Sequence, residues 1–483
     1  MRFWQDHGVN IALALAAGLA LRFGFGLQPL WWLAWLAPAP LLVAALRSPA
    51  RAAWGLAFLA GLVAASGSFH FMTKAMPLPL AVWVTVLQAL LWVLVVGLAR
   101  RVMLRFASAW SVLAYPVLWC AVDTLLAHPH PDGNWGSLAY SQAGFLPAVQ
   151  VVSLFGTAGL VFVLSLVPAA IALAVVRGWR AVRVPGLCAL ALAAATFGFG
   201  YARMPVLVKP GGDTVGLAVI DDFIGPRVPR AQVERIWAQY ERHVEALAAQ
   251  GARIVLLPEK IAVLSPADAA QVEHRMAALA ARTKVWLALG IGIDDGREKQ
   301  NLAWLLAPDG RRDASYQKHH MAPPEREFAP GSGYDLRDIG GARYGLAICK
   351  DMHFAAMGRA YGTRQAGVML VPAWDFGIDA WYAARLSALR GVESGFAMVR
   401  AAREGLLTVS DAHGRILAEA PSAGLPGTTL LATVPATAPL PTLYSRIGDL
   451  FGWLCTGAAL LMLLSLARLR TGLHAAAPLA RSE

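Results

Sequence analysis

The sequence predicts a polytopic membrane protein of eight helices that carries one inserted α/β domain. Three observations lead there. Apolar runs close to 20 residues, the length that spans a bilayer core, recur up to residue 205 and appear once more near the end of the chain. Between residues 204 and 447 the texture changes to short, β-rich runs alternating with amphipathic stretches, the pattern of an α/β domain. Only 15% of the 483 residues are charged, while 57% are apolar. Soluble domains carry about 25% charged residues, so an ordinary soluble enzyme, a disordered chain and a fibrous repeat are excluded.

In chain order the apolar runs fall at residues 8–24, 27–46, 52–71, 77–99, 108–127, 146–176, 184–203 and 448–467. The first has Arg2 in front of it but leads directly into the second and lacks a small-x-small cleavage site. It is therefore expected to remain as a span. The middle region contains Ala252–Leu257, Val285–Gly290, Tyr344–Ile348 and Gly367–Val371, apolar strands bounded by Gly, Pro and Asp, with the amphipathic Gln232–Gln250 among them. The expected division is seven transmembrane helices over 1–204, an α/β domain over 205–440, and a final helix with its tail over 441–483. A domain of this length buries a proper core.

The formal charge of +12 raises nucleic-acid binding as a class, but its placement removes that class. Residues 213–440 hold 25 basic and 25 acidic residues, leaving 17 basic and 5 acidic residues elsewhere. The excess sits on alternate loops: Arg2; Arg47 and Arg51; Arg100, Arg101 and Arg105; Arg177, Arg180 and Arg183; and Arg468, Arg470 and Arg481. By the positive-inside rule both termini are cytoplasmic and the α/β domain lies outside, in a bacterium on the periplasmic face. Trp31, Trp32 and Trp35 suit interfacial anchoring, with core packing an equal alternative.

Of four cysteines, Cys120, Cys188 and Cys455 fall in expected spans, where a cysteine is usually a small hydrophobe. Only Cys349 lies in the α/β domain, at the end of the strand Tyr344–Ile348 and before the polar turn Lys350-Asp351. Ligands approach α/β sheets at that edge. Ile254–Glu259 (IVLLPE) places a carboxylate at the end of a second buried strand. A third run, Trp304–Gly310, leads through Tyr316-Gln317 to Lys318. Either charge alone would be an ordinary ion-pair partner. No CxxC or CxxH pair suggests a metal, and the spacing of His128, His130 and His353 fits no metal site. No phosphate loop is present, and no cofactor is expected.

Glu, Lys and Cys in that order, each after an apolar strand, resemble the catalytic pattern of the nitrilase (carbon–nitrogen hydrolase) superfamily over about residues 213–435. The membrane part narrows the resemblance. Trp135–Gln142 (WGSLAYSQ) followed by Val151–Gly159 (VVSLFGTAG) is similar to a segment of the apolipoprotein N-acyltransferases, whose layout is also seven spans, a nitrilase-like domain and a last span. Pro258-Glu259, Tyr316-x-Lys318-x-His320, Arg390–Glu393, Arg400 and the stretch from Gly405 to Arg415 match in the same order. The resemblance implies a nitrilase-like αββα sandwich and an acyl transfer through a thioester. Glu259 would be the base, Cys349 the nucleophile and Lys318 the oxyanion stabiliser. Such a family takes its acyl chain from a phospholipid and gives it to the N-terminal amine of a diacylglyceryl-apolipoprotein. It works in the bacterial inner membrane without cofactor, and a monomer is expected. A second carboxylate near the nucleophile is implied within Met321–Gly331, where Glu325 is favoured over Glu327. Trp374, Phe376 and Glu393 are candidates for substrate or lid contacts, the two aromatics being equally readable as core.

Departures from the family pattern keep other readings open. Cys349-Lys350-Asp351 stands where the family has Cys-Tyr-Glu, Val371-Pro372 replaces Ser-Asn-Asp, and Asp375 is inserted between Trp374 and Phe376. Pro168 and Asp123 stand where the family has Asn and Glu. Lys350 beside the nucleophile is expected to lower the thiol pKa. The alternatives are a membrane-tethered amidase, an acyltransferase for another amine, and a non-enzymatic protein that binds a lipidated partner.

Overall fold

The computed structural model describes residues 2–475 except 129, 131–132, 205–210 and 437. Among the described residues, six helices are long and apolar enough to cross a membrane: His7–Gly24, Leu78–Arg105, Ala109–Ala127, Val152–Arg177, Trp179–Arg203 and Leu450–Arg468. A bent pair, Ala50–Ala65 and Phe69–Ala75, also passes for length and composition when taken together, its halves meeting at 61° around Ser66-Gly67-Ser68. The chain is a multi-pass membrane protein.

The run expected as a span at 27–46 needs correction. It forms a 3-10 turn, Trp31–Trp35, and then a helix of 10 residues, Pro38–Arg47. Pro38 and Pro40 have no N–H to donate to the preceding turn, so the helix must restart there. The helix rises about 15 Å, half of a bilayer core. The segment nevertheless runs back along the first helix. The Leu30 N–H donates to the Phe23 carbonyl at 2.8 Å, and at the other end Asn10 Nδ2 donates to Ser48 Oγ at 3.1 Å. The run expected at 146–176 also divides: a short helix, Leu146–Val149, precedes Val152–Arg177. The latter turns at Gly156 (φ +63°) because the Tyr444 ring packs there, 2.5 Å from where a Cβ would lie.

The α/β region has thirteen strands: β1 (Asp213–Val219), β2 (Ile254–Leu256), β3 (Val263–Leu264), β4 (Trp286–Asp294), β5 (Lys299–Leu306), β6 (Arg312–Gln317), β7 (Asp335–Ile339), β8 (Ala342–Leu346), β9 (Val368–Trp374), β10 (Ala397–Arg403), β11 (Leu406–Ser410), β12 (Ile416–Pro421) and β13 (Thr428–Val434). One sheet runs β13-β1-β2-β4-β5-β6 with β3 beside β4, the other β12-β11-β10-β9-β8-β7. The inner strands β1, β2 and β4, and likewise β8, β9 and β10, are parallel. Their near-continuous apolar sequences fit burial on both faces.

The sheets pack face to face through Val215, Leu217, Leu256, Leu346, Leu370 and Val399. Outside the first sheet lie the helices Arg230–Ala249 and Pro266–Thr283. Ile236, Tyr240 and Val244 on the first, and Met276 and Leu279 on the second, recur at helical spacing and are buried against it. The second helix starts where Ser265 caps the Asp268 N–H at 3.2 Å and Pro266 takes the first position. Helices Ala355–Thr363 and Ala380–Ser394 complete the αββα sandwich. The second of these has a double duty: Tyr382, Leu386, Leu389 and Val392 join the apolar core of the membrane half. Each such side chain contributes about 1.5–3 kcal/mol when fully buried, so the two halves meet across a firm seam.

Candidate active site

Parallel strands on the two sheets deliver their carboxyl ends to one place. After β2 the chain turns at Pro258, and Glu259 follows. That turn is stitched to both sheets: the Gly290 N–H donates to the Pro258 carbonyl at 3.0 Å, and the Glu259 N–H to the Ala373 carbonyl at 3.3 Å. Gly290 is required, because a Cβ there would lie 2.5 Å from Glu259 Cα. Lys318 leaves β6 with its N–H on the Asn301 carbonyl at 2.9 Å. Cys349 follows β8 in a left-handed conformation (φ +42°) that a side chain adopts only when its surroundings enforce it. Asp351 supplies the enforcement. Its Oδ2 accepts from Tyr316 Oη at 2.7 Å and from the Ile348 N–H at 3.1 Å. Its Oδ1 accepts from the N–H groups of His319 at 3.1 Å and His320 at 2.9 Å. One carboxylate thus ties the cysteine turn to the segment that carries Lys318.

Glu259 and Lys318 are each 1% exposed, Glu325 4% and Cys349 7%. Lys318 Nζ lies 2.7 Å from Glu259 Oε1 and 2.6 Å from Glu325 Oε2. Burial alone would push the ammonium down, but the two carboxylates outweigh it and hold Lys318 well above its ordinary value. Burial would likewise push Glu325 up, yet Lys318 and Lys260 hold it far below the usual carboxylate range. The Cys349 thiol is pushed far up, first by burial and then by Glu259, with Lys318 and Arg400 pulling the other way. It donates to the Trp374 carbonyl at 3.5 Å. Glu259 Oε2 is buried with no hydrogen-bond partner among the described residues.

The sequence matches known families on both sides of the seam. Residues 17–170 match the apolipoprotein N-acyltransferase N-terminal domain, and residues 223–437 match the carbon-nitrogen hydrolase family. The chain is similar to the apolipoprotein N-acyltransferases over most of its length. An apolipoprotein N-acyltransferase of Geobacter metallireducens is 28% identical over 94% of this chain and 95% of its own length. One from Gloeobacter violaceus is 29% identical over 84% and 85%. The crystal structure of an amidase from Nesterenkonia sp. superposes on 48% of this chain and 94% of its own with TM-score 0.40 and 22% identity.

Of the residues expected at the site, Glu259, Lys318, Glu325 and Cys349 come together. Glu327 does not: it is exposed and pairs with Lys299 at 2.9 Å. Trp374 adjoins the thiol through its carbonyl, while its ring stacks 3.5 Å from the Arg403 guanidinium. Phe376 turns to the membrane half, its ring 5.8 Å from that of Phe71. Glu393 is placed at no lid. It is fully buried at the seam, paired with Arg390, which donates to Tyr140 of the membrane half. The expectation for Lys350 is corrected as well. Its Nζ donates to the Met321 carbonyl at 2.9 Å, and the thiol is pushed up rather than down, burial outweighing the pull of Lys318 and Arg400.

Three buried groups at the site escape a reading of the sequence. Asn301 Nδ2 donates to Glu259 Oε1 at 2.6 Å and to Glu325 Oε1 at 2.9 Å. The signal was a polar side chain inside the apolar strand β5. Lys260 pairs with Glu325, and the signal was a second charge directly after Glu259. The inserted Asp375 pairs with Arg400, Oδ2 to Nη1 at 2.9 Å, so the insertion supplies a counter-charge to a buried arginine. Beside the site, a cavity of about 570 Å³ opens at the seam between the halves, lined by Asp123, Asn134, Thr157, His320, Phe354 and Asp449 among others.

Proposed function

We propose that this chain transfers an acyl chain from a phospholipid to the N-terminal amine of diacylglyceryl-apolipoproteins through a thioester on Cys349. The observation that carries the reading is the convergence of Glu259, Lys318 and Cys349 in a buried site whose neighbouring cavity is walled on one side by the membrane half. A hydrolase for soluble amides has no use for such a wall. The match of residues 17–170 to the N-acyltransferase membrane domain also favours acyl transfer over an amidase.

In the first half-reaction Glu259 Oε2 takes the Cys349 proton as sulfur attacks the ester carbonyl of the phospholipid. Lys318 faces the oxyanion that develops, and a fixed charge in a dry site stabilises it without reorganisation. The ester C–O bond breaks, and Glu259 returns the proton to the leaving lysophospholipid oxygen. In the second half-reaction the acceptor amine attacks the thioester and gives its proton to Glu259. The C–S bond breaks, and the proton returns to sulfur. Ester and thioester carry the driving force throughout.

The hydrolase half is placed on the periplasmic face of the inner membrane, with both termini cytoplasmic. Arginines on alternate loops support this. So do the contacts that gather them: Arg100 Nε donates to the Ala45 carbonyl at 2.8 Å, and Arg177 Nη2 to the Phe106 carbonyl at 3.0 Å. The test is complementation of a bacterium depleted of its own N-acyltransferase. Wild type should restore growth and leave an acyl mass adduct on the peptide that contains Cys349, and Cys349→Ala should do neither. Rescue by Cys349→Ala would overturn the proposal.

A further inference from the structure

Lys260 follows Glu259 in sequence, yet its side chain serves the opposite carboxylate. It is 7% exposed and has a left-handed backbone (φ +48°). Its Nζ pairs with Glu325 Oε1 and lies 4.9 Å from the Phe328 ring centroid and 5.2 Å from that of Trp374. Its carbonyl accepts from Arg403 Nη2 at 3.4 Å. This is an expensive arrangement for a surface charge to adopt by chance, since a buried ammonium needs a partner.

The consequence is an asymmetry between the two carboxylates. Glu325 has donors on both oxygens: Lys260 and Asn301 Nδ2 on Oε1, Lys318 Nζ and the Ala322 N–H on Oε2. Glu259 has both of its donors, Lys318 Nζ and Asn301 Nδ2, on Oε1, and its Oε2 has none among the described residues. We infer that Lys260 is a positioning residue that assigns the base role. By completing the shell of Glu325 it fixes that group as a permanent anion and leaves Glu259, whose charge acts on the thiol, with Oε2 as its open carboxylate oxygen.

The charges support this division. Glu259, Glu325, Lys318 and Lys260 form a buried set with two charges of each sign. Remove Lys260, and two carboxylates share one ammonium. Like charges at close range cannot both stay ionised without cost, so the pair retains a proton to higher pH. The other ionisable groups facing the set are the Cys349 thiol, the Arg400–Asp375 pair, and Arg403 with Glu404 and Asp221 behind it. Arg403 is engaged with the Trp374 ring and the Lys260 carbonyl, so it does not replace the lost charge on Glu325.

The inference rests on the proposed roles of Cys349 and Glu259, and the experiment separates the two. Alkylation of Cys349 by iodoacetamide is followed by peptide mass against pH in the full-length chain in detergent. Lys260→Met should move the acid limb of the rate profile up by about one to two pH units. Lys260→Arg should keep it at the wild-type position, because the charge is retained. An acid limb that stays in place in Lys260→Met would overturn the inference while leaving the nucleophile intact. If Lys260→Met does not fold, Lys260→Gln makes the same comparison, and an unmoved limb there is equally decisive. A wild-type profile with no acid limb would remove the base role of Glu259 and the inference with it.

Discussion

Replacing Asn301 by leucine would remove a neutral donor that touches both carboxylates. Asn301 is fully buried on β5, and its Nδ2 reaches Glu259 Oε1 at 2.6 Å and Glu325 Oε1 at 2.9 Å. A hydrogen bond to a charged group contributes about 1.5–3 kcal/mol. Glu325 keeps Lys260, Lys318 and the Ala322 N–H, so its share of the loss is absorbed. Among the described residues Glu259 then keeps only Lys318, and its carboxylate is free to rotate. If the whole of the Glu259 bond is expressed in the acylation barrier, thioester formation slows by about 10- to 150-fold, at about 1.4 kcal/mol per tenfold. The assay is single-turnover acylation of Cys349 by phospholipid vesicles, read as intact mass, with chromatographic behaviour in detergent as the check on folding. A well-folded Asn301→Leu that acylates within about twofold of wild type would refute the claim that this side chain orients the base.

Two other perturbations test the surroundings. Gly290→Ala would place a Cβ 2.5 Å from Glu259 Cα and 2.6 Å from the Pro258 carbonyl oxygen. The base turn must move, and acylation should fall roughly 100-fold, whereas Gly296→Ala, on an exposed turn with open space around it, serves as the control for a generic glycine effect. The second concerns pH. Glu325 is held far below its ordinary 4.5 by Lys318 and Lys260, against the opposing effect of burial. A depressed carboxylate stabilises the fold in full above its unfolded value and loses that contribution as pH falls towards the folded value. The thermal midpoint of wild type should therefore exceed that of Glu325→Gln clearly at pH 7, and the gap should narrow steadily below pH 4.5. A gap that persists unchanged into strong acid would contradict the assignment of that stabilisation to Glu325.

Much of the architecture was legible along the chain because the forces that specify it act locally. A bilayer demands an apolar run of fixed length, and a buried parallel strand demands a short one, so both classes of element announce themselves in composition. The helix at 27–46 was misread in length for a local reason too: Pro38 and Pro40 interrupt backbone donation inside a run whose hydropathy does not register the break. Glu259, Lys318 and Cys349 were visible because each ends an apolar run, and strand ends are where α/β sheets place polar side chains.

The sequence by itself determined the alternation of membrane and α/β segments and the asymmetric distribution of arginines, and it singled out the three residues proposed for acyl transfer. Only the tertiary structure decided which charges share a site. Lys260 and Glu325 are 65 positions apart, Asn301 and Glu259 42, and no local pattern distinguishes these partners from ordinary surface charges. It also separated Glu325 from Glu327, brought the Lys350 ammonium to the Met321 carbonyl, and sent Glu393 to the seam. The physical reason is common to all of these. Burial makes an unpaired charge prohibitively costly, so the packing of two sheets and a membrane half chooses the partners, and adjacency in the chain does not.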